Sequence, residues 1–310
     1  MSTATQQLTM PRTGVAGLFK DYSELVKVRV TTLIVMSAWC GYYFGALKSG
    51  VPALSWTLFH ALAGIGLVSG GTAAMNEVIE RDTDALMRRT AIRPLVTHSM
   101  SVLHATTVSL VMILGGAVYL GIECNWLTAA LALATSLVYL LAYTPLKKVG
   151  PICTFIGAFP GAMPGVLGWT AIRGRLEWES FVLFAIVFFW QFPHFHSIAL
   201  LYREDYERAG IRMLPVVEDD GRSTASAIML YGSALLPTTM APTLMGMTGV
   251  WYLMGSSVLG LALFYFCVRV WREVLPPSAP RSKVLARHLL QATVIYLPLL
   301  FALMMINSVV

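Results

Sequence analysis

The sequence predicts an all-α membrane protein that crosses the bilayer nine times. Only 12% of its 310 residues are charged, against about 25% in an ordinary soluble domain, and 56% are hydrophobic. Apolar runs repeatedly reach the roughly 20 residues needed to cross a bilayer core. The charges gather in the linkers between those runs.

The nine expected spans cover about 28–47, 53–76, 101–121, 126–143, 152–172, 180–200, 225–246, 250–270 and 288–308. Residues 1–27 precede them as a cytoplasmic segment, and 28–310 form a single domain. Linkers 77–100, 201–224 and 271–287 are the long ones. Placing the N-terminus inside puts 19 of the 22 Lys and Arg residues on the cytoplasmic side, leaving Lys48, Arg173 and Arg175 opposite. That asymmetry satisfies the positive-inside rule, and an odd number of spans puts the C-terminus outside. The first 20 residues lack the apolar core of a signal peptide and are short and Arg-poor for a transit peptide, which favours a bacterial inner membrane.

The net charge of +6 is no sign of a nucleic-acid partner, because it is spread over membrane-edge loops. Cys40, Cys124, Cys153 and Cys267 are scattered without a CxxC pair. They are expected to be free thiols rather than a disulfide or zinc framework.

The most informative stretch is 76–94, NEVIERDTDALMRRTAIRP. If the helix of the second span continues through it, Asn76, Glu80 and Asp84 share one face, drifting only about 80° over two turns. Three oxygen-bearing side chains so placed suit a hard divalent cation such as Mg²⁺. Arg81, Arg88, Arg89 and Arg93 follow at once, and a site with both characters suits a metal diphosphate. An ordinary charged loop with helix-end ion pairs is the alternative. On a straight helix Asp82 points away from the metal face.

Other segments leave alternatives open. Lys27 and Arg29 are juxtamembrane anchors or help to bind an anionic substrate. Tyr143 and Lys147 can both reach a phosphate, or they simply close a span with an interfacial tyrosine and a lysine pair. The Gly- and Pro-rich fifth span brings helices close or makes room for a ligand. His194, in Trp190-Gln191-Phe192-Pro193-His194-Phe195, lines a pocket, bonds a propionate, ligates iron or is satisfied by a backbone carbonyl. A second acidic and basic cluster, with Arg203, Glu204, Asp205, Glu207 and Arg208, falls on the same side as the first. Two facing clusters would hold a diphosphate through bridging Mg²⁺.

Together these motifs resemble the UbiA superfamily of intramembrane prenyltransferases and, within it, the protoheme IX farnesyltransferases (heme O synthases). The resemblance runs through residues 76–95, YTPLK at 143–147, WQFPHF at 190–195 and DYERAGIRMLPV at 205–216. The sequence departs from that pattern at Val28, where proline is usual, and at Ala209, where a second aspartate is usual. Glu204 or Glu207 would have to substitute for that aspartate.

The resemblance implies a bundle of nine transmembrane helices around a central cavity. Its implied substrates are farnesyl diphosphate and heme B, with heme O as product. Heme A synthase or a terminal oxidase assembly then becomes a candidate partner. Implied roles are Mg²⁺ binding by Asn76, Glu80, Asp84 and Asp205, with Arg81, Arg88, Arg89, Arg93, Tyr143, Lys147 and Arg203 around the diphosphate and His194 on the heme side. A prenyltransferase of quinone precursors would share the diphosphate site and differ at the acceptor. A transporter would instead show mid-span charges or two repeated halves.

Overall fold

The computed structural model of the chain describes residues 14–309. Residues 1–13 of the expected N-terminal segment, with Arg12, lie outside the described residues, as does Val310. Among the described residues the regular structure is helical, apart from one bridge joining Thr248 and Ser308.

A short helix α1 (Val15–Leu25) leads in and buries Leu25 against Ala74 and Val78. The chain then turns at Lys27, whose left-handed φ of 48° is unfavourable for a residue with a side chain. Long helices follow as α2 (Val28–Lys48), α3 (Trp56–Asp84), α4 (Val102–Glu123) and α5 (Trp126–Leu137). The fifth helix continues through a π-helical stretch, Val138–Tyr143, into α6 (Thr144–Leu146). Pro145 explains the change of winding, because it has no N–H for a regular bond and its ring crowds the carbonyl four residues back.

Next come α7 (Ile152–Arg173) and α8 (Trp178–Leu201), then two short pieces, α9 (Arg203–Arg208) and α10 (Leu214–Val217). The chain ends with α11 (Arg222–Leu244), α12 (Val250–Arg272) and α13 (Pro280–Ile306). Sequence neighbours pack side by side as α3 with α4, α7 with α8, and α11 with α12, while α2 crosses to α7.

Eight of these helices are long and apolar enough to cross a membrane. The exception to the expected nine is α11, whose 23 residues include Ser, Thr, Pro237 and Pro242 and lower its apolarity. It nevertheless runs the length of the bundle. Glu204, after α8, pairs with Lys283 at the start of α13 at 2.7 Å, so those ends lie together. The turn after α11 meets the chain end at the opposite pole, where Thr248 bridges Ser308 and Tyr43 hydrogen bonds to Ser308 at 2.9 Å.

Glycines set the α2–α7 crossing. A Cβ on Gly168 would fall 1.8 Å from the Ala38 carbonyl oxygen, and one on Gly41 would fall 1.9 Å from that of Gly165. The small residues of the fifth span therefore serve close helix packing here. The four cysteines are free, as expected.

At the pole away from Lys27, the three outer cations form one network. Glu177 accepts from Arg173 Nε at 2.7 Å and lies 3.1 Å from Arg175 and 3.4 Å from Lys48, while also accepting from Trp169 Nε1 at 3.2 Å. The bonded Arg173 guanidinium, with Lys48 beside it, holds the Glu177 carboxyl down to about 2. A depressed carboxylate stabilises the fold above its ordinary value near 4.5 and loses that contribution as pH falls toward about 2. Thermal unfolding in detergent should therefore find the unsubstituted chain more stable than Glu177→Gln above pH 5, with the gap closing as pH falls.

Candidate functional site

The helix of the second span does continue, and α3 runs on to Asp84 before the chain turns. Its last two turns carry Asn76, Glu80 and Asp84 on one face, with Asn76 and Asp84 each only 1% exposed. Glu77 joins them, also at 1% exposure. A step of four from Asn76 passes over Glu77. The available signal was its spacing of seven from Asp84, two full turns, which places all four side chains within an arc of about 100°.

Each oxygen cluster leans on a cation from another segment. Lys27 Nζ donates to Asn76 Oδ1 at 2.8 Å, and Lys147 Nζ donates to Glu80 Oε1 at 2.7 Å. Arg93 donates to Asp84 Oδ2 and lies 3.3 Å from Glu77 Oε1. Asn76 in turn donates from Nδ2 to Thr144 Oγ1 at 3.2 Å. The strained turn at Lys27 thus delivers an ammonium to the site rather than to the membrane surface.

Burial works against the charge of all three cations, with different outcomes. It pushes Lys27 down to about 7, helped by the nearby Arg93 guanidinium and opposed by Glu77. For Lys147, the Tyr143 phenol oxygen and the Glu80 carboxylate outweigh burial and hold the ammonium above the ordinary lysine range. Asp84 and Glu77 do the same for Arg93.

Lys147 sits 4.6 Å from the Tyr143 ring centroid, a cation–π contact set by the altered winding before α6. Gly157 on α7 leaves room for that ring, since a Cβ there would come within 2.5 Å of it. Gly157→Ala should displace Tyr143 and the ammonium over it. Turnover should fall by up to about 100-fold, the scale on which small misplacements act.

The second charged loop does meet the first. Asp205 Oδ2 accepts from the Arg89 backbone N–H at 3.3 Å, and Oδ1 accepts from Arg208. Met87, Cys153, Tyr206, Ala209, Ile211 and Met213 form the apolar plug beneath. Beside these loops opens a cavity of about 410 Å³, lined by Arg88, Arg89, Tyr202, Glu204, Asp205 and Arg208 among others.

Three of the expected residues are engaged away from the α3 oxygen face. Arg81 is 42% exposed, donating to its own helix at the Val78 carbonyl and lying 3.5 Å from Asp82, which faces away as expected. Arg203 is drawn to the Pro215 carbonyl at 3.0 Å and Glu207 at 3.1 Å. His194 stacks on Trp190 at 4.7 Å and bonds through Nδ1 to Thr293 Oγ1 at 2.9 Å, on α13. Because the Thr293 hydroxyl proton goes to the Leu290 carbonyl, Oγ1 accepts from Nδ1–H, which leaves the lone pair of a neutral ring on Nε2.

Two buried oxygens, Glu77 Oε2 and Asp84 Oδ1, have no hydrogen-bond partner. With the hard oxygens of Asn76 and Glu80 beside them, they fit a magnesium ion. Among the described residues no three carboxylate, His or Cys side chains converge into a ready cation cage. Lys27, Lys147 and Arg93 already engage one oxygen each of Asn76, Glu80, Asp84 and Glu77.

Comparisons with known proteins give the chain close relatives and a shared fold. Over 310 residues the chain is 67% identical to a protoheme IX farnesyltransferase of Koribacter versatilis, covering 100% of both chains. It is 45% identical to a protein of the same name from Solibacter usitatus, covering 93% of this chain and 98% of that one. A solved UbiA homolog from Archaeoglobus fulgidus, bound to GPP and Mg²⁺, superposes with a TM-score of 0.64 at 17% identity, covering 92% and 99% of the two chains. A structure described as digeranylgeranylglyceryl phosphate synthase gives 0.75 at 16% identity, covering 93% and 98%. Residues 34–290, which hold the whole α3 oxygen face, Lys147 and Asp205, match the UbiA prenyltransferase family, and the chain belongs to that family.

Proposed function

We propose that the chain transfers a farnesyl group from farnesyl diphosphate to a vinyl group of heme B, with addition of water, giving heme O. The observation that carries this reading is the buried oxygen face of α3 with three cations set against it, in a chain two-thirds identical along its length to a relative named for this reaction.

Asn76, Glu77, Glu80 and Asp84 would hold Mg²⁺, which supplies Lewis-acid stabilisation of the leaving diphosphate. Asp205 is less free to contribute, because both its oxygens are engaged. Lys147, Arg93 and Lys27 already sit against the α3 oxygens and are placed to turn their N–H groups onto diphosphate oxygens. Preorganised positive charge of this kind favours loss of diphosphate with the electron pair of its allylic C–O bond. The vinyl group then attacks the farnesyl carbon. Water adds to the resulting cation beside the porphyrin and loses a proton, leaving a hydroxyl. Water must stay out until the carbon–carbon bond exists, a task suited to the apolar plug of Met87, Ile211 and Met213. His194 offers its Nε2 lone pair on the acceptor side.

The basic loops support a bacterial inner-membrane setting, with the N-terminus cytoplasmic, all nine long helices crossing and the C-terminus periplasmic. Residues 28–310 act as one domain. Heme A synthase or a terminal oxidase assembly would receive the product.

The test supplies purified protein, Mg²⁺ and farnesyl diphosphate with heme B or 4-hydroxybenzoate, and resolves products by mass. A heme product heavier by farnesyl plus water, abolished by EDTA, is expected. Prenylation of the phenol alone would overturn the acceptor.

A further inference from the structure

The cations at this end of the bundle fall into two sets. Lys27, Lys147 and Arg93 are each paired with an α3 oxygen. Arg88 and Arg89 are not paired. Among the described residues neither guanidinium is in a salt bridge, although Glu204 feels the Arg88 charge, and the side chain of Arg89 lies over the Tyr202 ring at 5.2 Å. Both line the cavity of about 410 Å³, a volume within the range of small-molecule sites.

The cavity's acids are already spent. Asp205 accepts from Arg208 and from the Arg89 backbone, and Glu204 pairs with Lys283 at 2.7 Å. What remains is two guanidiniums without a salt bridge, beside an aromatic ring and Leu201. That surface suits a flat, largely apolar ligand with carboxylates at one edge, since guanidinium matches carboxylate geometry and stacks on aromatic faces. Both of its acids already face a cation, which disfavours a shared metal site there.

The proposed reaction needs a second anion-binding place. Heme B carries two propionates, which cannot share the inner cations with a diphosphate without strong like-charge repulsion. We infer that Arg88 and Arg89, with Tyr202, form the acceptor's carboxylate site, receiving the propionate edge of the porphyrin while the inner cations hold the diphosphate. This rests on the heme reading above and reassigns two arginines that the sequence placed around the diphosphate.

The test compares heme B with its dimethyl ester, in which both propionates are masked, using the full chain in nanodiscs. The unsubstituted protein should bind the ester about 10- to 100-fold more weakly than heme B, the loss expected when hydrogen bonds to charged groups are removed. The double variant Arg88→Gln/Arg89→Gln should bind heme B that weakly, gain nothing by discriminating against the ester, and keep its KM for farnesyl diphosphate within about twofold. A raised KM for farnesyl diphosphate with heme binding intact would return these arginines to the diphosphate and overturn the inference. Equal binding of heme B and its ester by the unsubstituted chain would overturn it without any variant. Turnover of 4-hydroxybenzoate and of neither porphyrin would instead bring down the heme reading itself.

Discussion

Asp84→Asn should lower turnover about 100- to 1,000-fold, the scale seen when one element of a preorganised electrostatic site is removed. The substitution keeps the side chain's shape and removes a buried charge whose Oδ1 has no protein partner. It should not unfold the chain, because Arg93 keeps Glu77 at 3.3 Å and so is not left as an uncompensated buried charge. Asp82→Asn is the internal control. Two residues away, Asp82 is 84% exposed on the opposite face, and its variant should retain full activity. Turnover with heme B, set beside the yield of monodisperse protein, separates the two. An Asp84→Asn enzyme above a tenth of normal activity would remove α3's oxygen face from the chemistry.

The largest effect on the fold is expected at the α2–α7 crossing. In Gly168→Val the first added carbon would meet the Ala38 carbonyl oxygen at 1.8 Å and the Tyr42 nitrogen at 2.8 Å. Both are backbone atoms, so no rotamer change relieves the clash and the helices must separate. Overpacking commonly costs about 1–3 kcal/mol even where side chains can adjust. Here they cannot, and total stability is about 5–15 kcal/mol. The variant should lose most of its folded yield. Gly115→Ala, with nothing within 4 Å of the added carbon, should be neutral or slightly stabilising through helix propensity. The crossing also reaches the site, since α2 begins beside Lys27 and α7 carries Gly157 under Tyr143.

What could be read from the sequence follows from how local each signal is. The α3 face was legible because Asn76, Glu80 and Asp84 repeat at helical spacing within a single element. Tyr143 and Lys147 were legible as a pair for the same reason, although the π-helical winding that stacks them had only Pro145 to announce it. The partners of the oxygens were not legible. Lys27 reaches Asn76 across 49 residues and Lys147 reaches Glu80 across 67, and no periodicity encodes such contacts. Nor does spacing distinguish Arg88 and Arg89 from Arg93, because residues 85–101 are turns whose winding decides which arginine faces inward. Likewise α11 was legible as a span by length, while its Ser, Thr and Pro content keeps its apolar stretch below those of the eight other long helices.

The most direct measurement is an experimental structure of the chain with Mg²⁺ and an unreactive farnesyl thiolodiphosphate. The expected result is metal on Asp84 Oδ1 and its α3 neighbours, with Arg93 and Lys147 turned from their carboxylates onto the diphosphate and Arg88 and Arg89 away from it. A diphosphate seated on Arg88 and Arg89 instead, with Arg93 still bonded to Asp84 and no metal on α3, would contradict it.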